Sequence, residues 1–400
     1  MTNSQEKSIR DLVAQSTLSV KQLFNRSDEP QVVVSPYRFN PLGAHIDHQN
    51  GSVMARTINQ YTVLAFYPAD DHSVELFSDI GTGEVQQCRF DMGSTESSEN
   101  WVRYAMASAY CFKTLSNQSN GLQGVLLGTL VGAGLSSSAS VILAYLSAFS
   151  ATNNTALTPV QLVELCRQVE NEHMGLNNGI QDQMSVAFGK RSALSLLHMS
   201  DTSVTYINDP HNIDDVCWVL CYSGFSRELV SSGFNDRVSE CCEAAAHLHE
   251  GAQHLGQVPE SKRSSEHIAR LPQHLGNRAK HVYSEMARVA AGCDAWQAGD
   301  WQQFGQLMNE SCDSSIEQYE CGSEPMIALR DIARDVQGVY GARFSGGGYG
   351  GCFNMLVSRQ HAEQVGNEVL ERFLQRYPEK TGIARSFIAS AEDNVRILSQ

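Results

Sequence analysis

Leu130-Val-Gly-Ala-Gly-Leu-Ser-Ser-Ser-Ala-Ser140, followed without a break by Val141-Ile-Leu-Ala-Tyr-Leu146, joins a short apolar strand to a helix through a turn of glycine and serine. Glycines let backbone approach an anion with no Cβ in the way, and serine hydroxyls add donors. The helix that follows presents unpaired N–H groups and the positive end of its dipole. The stretch reads as a cradle for a nucleotide phosphate, although a turn that only lets a helix pack closely on a strand has the same composition. It has neither the Gly-Lys-Ser/Thr ending of a Walker loop nor the Gly-x-Gly-x-x-Gly spacing of a dinucleotide fold.

A chain of 400 residues is long for one core, so two globular domains sharing a cleft are expected, and small ligands favour such clefts. A formal net charge of -15 without a basic run argues against nucleic acid or an anionic membrane as partner. An anionic substrate would have to be met by individually placed arginines. The 11 cysteines are scattered apart from Cys241-Cys242 and the Cys217/Cys221 pair, with no Cys-x-x-Cys, as in a reduced cytoplasmic protein. Met1-Thr-Asn-Ser-Gln-Glu-Lys7 has no signal pattern, and no apolar run approaches the length that spans a bilayer.

Outward from the glycine-serine turn, periodicity predicts an amphipathic helix from about Gln5 to Phe24, a turn at Asp28-Glu29-Pro30 and a strand from Gln31 to Ser35. Strand signals recur to Asp91, helical ones run from Ser140 to Gly189, and strands return from Ser192 to Ile207. The breaker Asn208-Asp-Pro-His211 precedes the apolar Val216-Cys-Trp-Val-Leu-Cys-Tyr222, which sets expected domains at 1–209 and 210–400. The second half is helical from Asp236 to Val336, then gives two strands around a glycine turn and a helix from Ala362 to Tyr377. The class is α+β.

Four places carry polar groups of chemical interest. A helix opening at Thr158-Pro159 and ending at Gly175 puts Val163, Cys166 and Glu170 on one face, so Glu170 is either a metal ligand or half of a buried ion pair. Asp182, in the first turn of the next helix, is either a capping residue or a carboxylate that orients a hydroxyl nucleophile. The loop Ser35-Pro-Tyr-Arg-Phe-Asn-Pro-Leu-Gly-Ala-His-Ile-Asp-His-Gln-Asn-Gly51 suits a polyol; His45, Asp47 and His48 lack a further residue to complete a metal set. Tyr340-Gly-Ala-Arg-Phe-Ser-Gly-Gly-Gly-Tyr-Gly-Gly-Cys352 is a tight hairpin or β-bulge on its own, and a third wall of a cleft beside the other two loops.

These three segments, in this order, resemble the three motifs of the GHMP small-molecule kinases, and the chain is similar to the galactokinase group over nearly its whole length. Galactokinases carry a first motif close to Gly-Arg-x-Asn-Leu-Ile-Gly-Glu-His-Thr-Asp-Tyr; here it is Tyr37-Arg-Phe-Asn-Pro-Leu-Gly-Ala-His-Ile-Asp-His48. The resemblance implies a two-domain fold with the site in the cleft, sugar hydroxyls on His45 and Asp47, and Arg38 near the reacting phosphate. The second motif is matched from Gly132 to Ala139, with Leu130 in place of a proline whose loss should affect only rigidity. It implies ATP on Gly132, Gly134, Leu135, Ser136, Ser137 and Ser138, and Mg²⁺ on Ser138 and Glu170. Gly179-Ile-Gln-Asp-Gln183 matches the segment that holds the family's catalytic aspartate, Asp182 here, and Ser345-Gly-Gly-Gly-Tyr-Gly-Gly351 matches the third motif, with Gly346 and Gly347 beside the substrate.

The departures bear on the substrate. The glutamate that in galactokinases faces the sugar's 6-hydroxyl is Ala44, and a tyrosine that touches the sugar is Phe234. Two like charges about 4 Å apart at an effective dielectric near 20 repel by about 4 kcal/mol, so the glutamate would exclude a uronic acid roughly a thousandfold and Ala44 tolerates one. Pro36-Tyr-Arg, Tyr319-Glu-Cys-Gly-Ser-Glu-Pro325 and Gly341-Ala-Arg-Phe-Ser-Gly346 are similar to the galacturonokinase branch known from plants, which implies a C1 kinase for D-galacturonate with Arg227 as the carboxylate's partner. The alternatives are a galactokinase acting on D-galactose and a non-catalytic sugar and ATP sensor.

Overall fold

The computed structural model describes residues 8–79, 85–95, 100–117, 119–130, 132–175, 179–225 and 231–398. The first helix, α1 (Ile9–Leu23), opens on a capping box in which the Ser8 hydroxyl accepts from Asp11 N and the Asp11 carboxylate accepts from Ser8 N. Strand β1 (Gln31–Phe39) runs four residues beyond Ser35, through a register shift between Pro36 and Tyr37. That extension delivers Arg38 to the site. Strands β2 (Ser52–Pro68), β3 (Ser73–Asp79) and β4 (Gln86–Asp91), helix α2 (Asn100–Ser116) and strand β5 (Leu122–Gly128) lead to the glycine-serine turn.

Helices α3 (Ser137–Thr152), α4 (Pro159–Gln168) and α5 (Gln181–Phe188) follow, then the hairpin of β6 (Ala193–His198) and β7 (Ser203–Asn208). Helix α3 buries Ile142, Leu143, Tyr145, Leu146 and Phe149, residues on all its sides, as a helix wedged between a sheet and other helices must. The second unit begins with β8 (Val216–Tyr222). It continues through α6 (Ser231–Leu248), the single turn α7 (Ser265–Ile268), α8 (Gln273–Ala298), α9 (Trp301–Glu317) and α10 (Glu324–Arg334). Strands β9 (Val339–Phe344) and β10 (Cys352–Ser358), helix α11 (Ala362–Arg376) and strands β11 (Arg385–Ala389) and β12 (Arg396–Ile397) complete the chain.

Two sheets result. One has the order β12-β1-β2-β5-β3-β4, with β6 and β7 added along β2; the other is antiparallel, in the order β11-β8-β10-β9. Within the first, only the β3–β5 pair among the described strands is parallel. We propose a division between 209 and 210, with one crossing: β12 pairs with β1, and Leu398 N donates to Val32 O, so the C-terminal stretch returns to the first unit. Apolar contacts weld the two units behind the first-motif loop. Phe39 meets Trp218 at 4.6 Å between ring centres, Trp218 stacks on Trp296, and a Cβ on Gly292 of α8 would lie 2.3 Å from Leu42 Cδ1. Among the described residues no helix is long and apolar enough to cross a membrane, and the 11 cysteines form no disulfide.

Candidate active site

Arg38, at the end of β1, is 1% exposed and ties together four stretches that are far apart in sequence. Its Nε and Nη2 donate to Asp182 Oδ1 at 2.9 and 2.5 Å, and its Nη1 donates to the carbonyls of Ser345 at 3.2 Å and Gly134 at 3.4 Å. Asp182 sits in the first turn of α5 behind Ile180, and its carboxylate pairs with the guanidinium. Gln181 Nε2 donates to Asn40 Oδ1 at 2.8 Å, fastening α5 to the first-motif loop. The second and third motifs meet backbone to backbone: a Cβ on Gly351 would fall 2.7 Å from Ala133 O. Glycine is therefore required there by close approach as well as by its φ of +82°.

The phosphate turn leaves α3 uncapped. Ser136, at φ +61°, makes no side-chain cap, so it leaves the first-turn N–H groups of α3 for another acceptor. Gly132 and Gly134 both have positive φ, Gly132 N donates to Ser137 Oγ at 3.3 Å, and Leu135 O accepts from Arg38 N at 3.1 Å. Leu130 lies at φ +27°, which a proline ring cannot adopt, so its replacement of proline changes conformation and not only rigidity. Ser138 is partly exposed in the first turn of α3. Glu170 is fully buried, as are Val163 and Cys166, but the helix ends at Gln168 and a wider turn, Val169–His173, carries it on. Its Oε2 accepts from Gln183 Nε2 at 2.5 Å, and Cys166 Sγ against Ala139 O sets this face on α3. Among the described residues no three His, Cys, Asp or Glu side chains gather as a metal cluster, so an ion here would take few protein ligands.

In the first-motif loop His45 is buried, stacked on Tyr319 at 4.2 Å, with Nε2 3.1 Å from Cys321 Sγ. The Cys321 thiol donates to Ser315 O at 3.2 Å, which makes Nε2–H the donor to sulfur and Nδ1 the acceptor nitrogen of His45. Burial, with His281, His48 and Arg343 nearby, holds His45 well below the usual imidazole range, and burial also lowers His48, whose Nε2 lies 3.1 Å from Tyr319 OH. Asp47 is raised by burial and by Asp182, with His48 opposing. Its carboxylate lies so close to Gly179 that a Cβ there would be 2.1 Å from Oδ2. Phe234 approaches both histidines, at 6.5 Å from His45 and edge-on at 5.8 Å from His48, and Gly347 is also beside His45. Gly346 follows Ser345 in the same turn, and Arg227 lies outside the described residues.

The sequence reading missed what lies beneath this loop. Glu285 of α8, fully buried, accepts from Gly43 N at 2.8 Å, Ala44 N at 2.9 Å and Ser311 Oγ at 2.7 Å, while Arg288 Nε donates to its other oxygen at 2.7 Å. Burial alone would raise its pKa; Arg288, Arg343, His281 and Ser311 outweigh that and bring it down to about 2. His281, one turn earlier, donates from Nε2 to Ala44 O at 2.9 Å, and burial brings its pKa down to about 4. A signal existed: Leu275, Arg278, Val282, Glu285, Val289 and Gly292 form one buried stripe, and a carboxylate on such a stripe needs partners, the argument already used for Glu170.

Family models agree with this arrangement: the GHMP kinases N terminal domain matches residues 105–190, the GHMP kinases C terminal domain residues 291–375, and the galactokinase galactose-binding signature residues 21–68. The chain belongs to the GHMP kinases. Within them it is a member of the galactokinase group, an enzyme that phosphorylates a sugar with ATP. It is 36% identical to a galacturonokinase of Arabidopsis thaliana over 99% of both chains, and 31% identical to a galactokinase of Roseiflexus sp. (strain RS-1) over 92% of this chain and 93% of that one. The crystal structure of Lactococcus lactis galactokinase complexed with galactose superposes with a TM-score of 0.87 at 25% identity, covering 97% of this chain and 100% of that one.

Proposed function

We propose that this kinase transfers the γ-phosphoryl group of ATP to the C1 hydroxyl of D-galacturonate. The observation that carries the choice of sugar is Ala44. It stands where galactokinases have a glutamate, and its side chain is a methyl group, so no carboxylate projects from position 44. The full-length likeness to a galacturonokinase supports the same reading.

In the reaction the bond from O1 to Pγ forms as the bond from Pγ to the β-phosphate oxygen breaks, ADP leaves, and Asp182 orients the hydroxyl and receives its proton. Arg38, braced by Gly134 and Ser345, faces the charge on the transferring group. Gly132, Gly134, Leu135, Ser136, Ser137 and Ser138 cradle the phosphates, and His45, Asp47, Phe234, Gly346 and Gly347 bound the sugar. Ser138 and Glu170 offer the hard oxygen donors that Mg²⁺ takes, and the face bearing Glu170 packs on α3 through Cys166. They would hold an ion that neutralises phosphate charge.

The test is ATP-dependent turnover of D-galacturonate and D-galactose side by side, with the phosphorylated carbon located by NMR. A higher kcat/KM for galacturonate with phosphate on C1 is expected. A preference for galactose would make Ala44 incidental and the enzyme a galactokinase.

A further inference from the structure

Ala44 admits a carboxylate without attracting one, so selectivity requires a cation at the sugar's C6 end. The neutral His45 and His48 do not supply it. Most of the described arginines around the loop are already engaged: Arg38 with Asp182, Arg237 with Glu240, Arg278 with Glu240 and Glu320, and Arg288 with Glu285.

Arg343 differs. It lies on β9 two residues before Ser345, and Asn354 of β10 stands directly opposite it, so all three side chains share one face of the second sheet. Leu356, two residues along from Asn354, is opposite Trp218, which packs on Phe39 of the first unit and on Trp296 and Phe304; helices α8 and α9 cover that face, and Arg343 is near enough to His45 of the sugar loop to help lower its pKa. Arg343 is 2% exposed and Asn354 0%, yet Arg343 Nε and Nη1 and both amide atoms of Asn354 have no hydrogen-bond partner among the described residues. Buried N–H groups of a guanidinium are costly to leave unmade, and a carboxylate is the partner whose charge fits; Nε and Nη1 lie on different edges of the group, so one carboxylate takes one of them. Glu285 is close enough to feel Arg343, but its oxygens are taken by Gly43, Ala44, Ser311 and Arg288. Two guanidinium groups and one carboxylate leave the cluster beneath the loop with one net positive charge.

Resting on the galacturonate reading above, we infer that Arg343, with Asn354 beside it, receives the C6 carboxylate of the sugar and sets the preference for a uronic acid. The experiment compares kcat and KM of the wild type, Arg343→Gln and Arg343→Lys on D-galacturonate, neutral D-galacturonamide and D-galactose. Arg343→Gln is expected to lose about 100-fold in kcat/KM on galacturonate, mainly through KM, and to stay within about threefold on the two neutral sugars. Arg343→Lys, which keeps the charge but not the planar guanidinium, is expected to lose about tenfold on galacturonate alone. Equal losses on all three sugars would mean a packing role and overturn the inference, as would an unchanged preference for galacturonate. Should the glutamine variant fail to fold, the lysine variant alone decides by the same pattern. A wild type that ignores galacturonate overturns the functional reading itself, a result distinct from a wild type that prefers it through other residues.

Discussion

Replacing Glu285 with glutamine removes the charge on which the sugar loop rests. The carboxylate's pKa is brought from an ordinary 4.5 to about 2, a displacement of roughly 2.5 units. At about 1.4 kcal/mol per unit this is a contribution of about 3 kcal/mol to stability. A depressed acid contributes fully above its unfolded pKa and loses that contribution as the pH falls through its folded value. The gap between wild type and Glu285→Gln in urea unfolding free energy is therefore about 3 kcal/mol at pH 7, nearly constant down to pH 5, and under half as large at pH 3. Glutamine also leaves Arg288 without its ion-pair partner, which works in the same direction at neutral pH. Because Glu285 accepts from Gly43 and Ala44 N–H, the variant is also expected to raise the KM for sugar while leaving the KM for ATP near normal. A gap below about 1 kcal/mol at pH 7, or one as large at pH 3 as at pH 7, would refute the reasoning.

His281 behaves in a separate window: burial lowers its pKa from 6.5 to about 4, so the unfolded chain binds a proton that the folded one refuses, and stability is complete above pH 6.5 and falls by up to about 3 kcal/mol toward pH 4. His281→Asn should flatten that part of the profile in urea titrations at pH 7 and 4.5; an unchanged slope would assign it elsewhere. Asp182→Asn is expected to cut turnover about 10²- to 10⁴-fold while calorimetric binding of sugar and ATP stays within a few-fold, and turnover within tenfold of wild type would sink its role. Gly179→Ala puts a Cβ 2.1 Å from Asp47 Oδ2 and should raise the sugar KM at least about tenfold with little change for ATP; equal effects on both substrates would mean a general disturbance.

What could be read in advance was local. The glycine-serine turn, the helix start at Thr158-Pro159 and the hairpin around the third motif each rest on a few adjacent residues whose backbone needs are written in their types. Partnerships across the chain were not readable from periodicity: Arg38 and Asp182 stand 144 residues apart, and only the family resemblance brought them together. Strand β12 is two residues long, too short for alternation to show, and its place beside β1 is fixed by pairing rather than by its own side chains. The wide turn at Val169–His173 likewise has no mark in an otherwise ordinary helical run. Glu285 and Arg343 were visible as charges in apolar stretches, but which group met which depended on two helices and a strand closing over one loop.

That closure explains why the geometry around the proposed catalytic aspartate draws on both proposed units at once. Asp182 is held by Arg38, and Arg38 is held against the carbonyl of Gly134 in the first unit and that of Ser345 in the second. A buried guanidinium that spends its donors on backbone carbonyls has little freedom to follow a carboxylate that drifts, so any shift of the β9 turn is passed to Asp182 through a fork of short bonds. Phosphoryl transfer gains most of its rate from alignment, and displacements on the order of 1 Å are enough to cost about a hundredfold. Substitutions in the Ser345 turn should therefore behave as changes at the aspartate, although that turn lies in the other half of the chain.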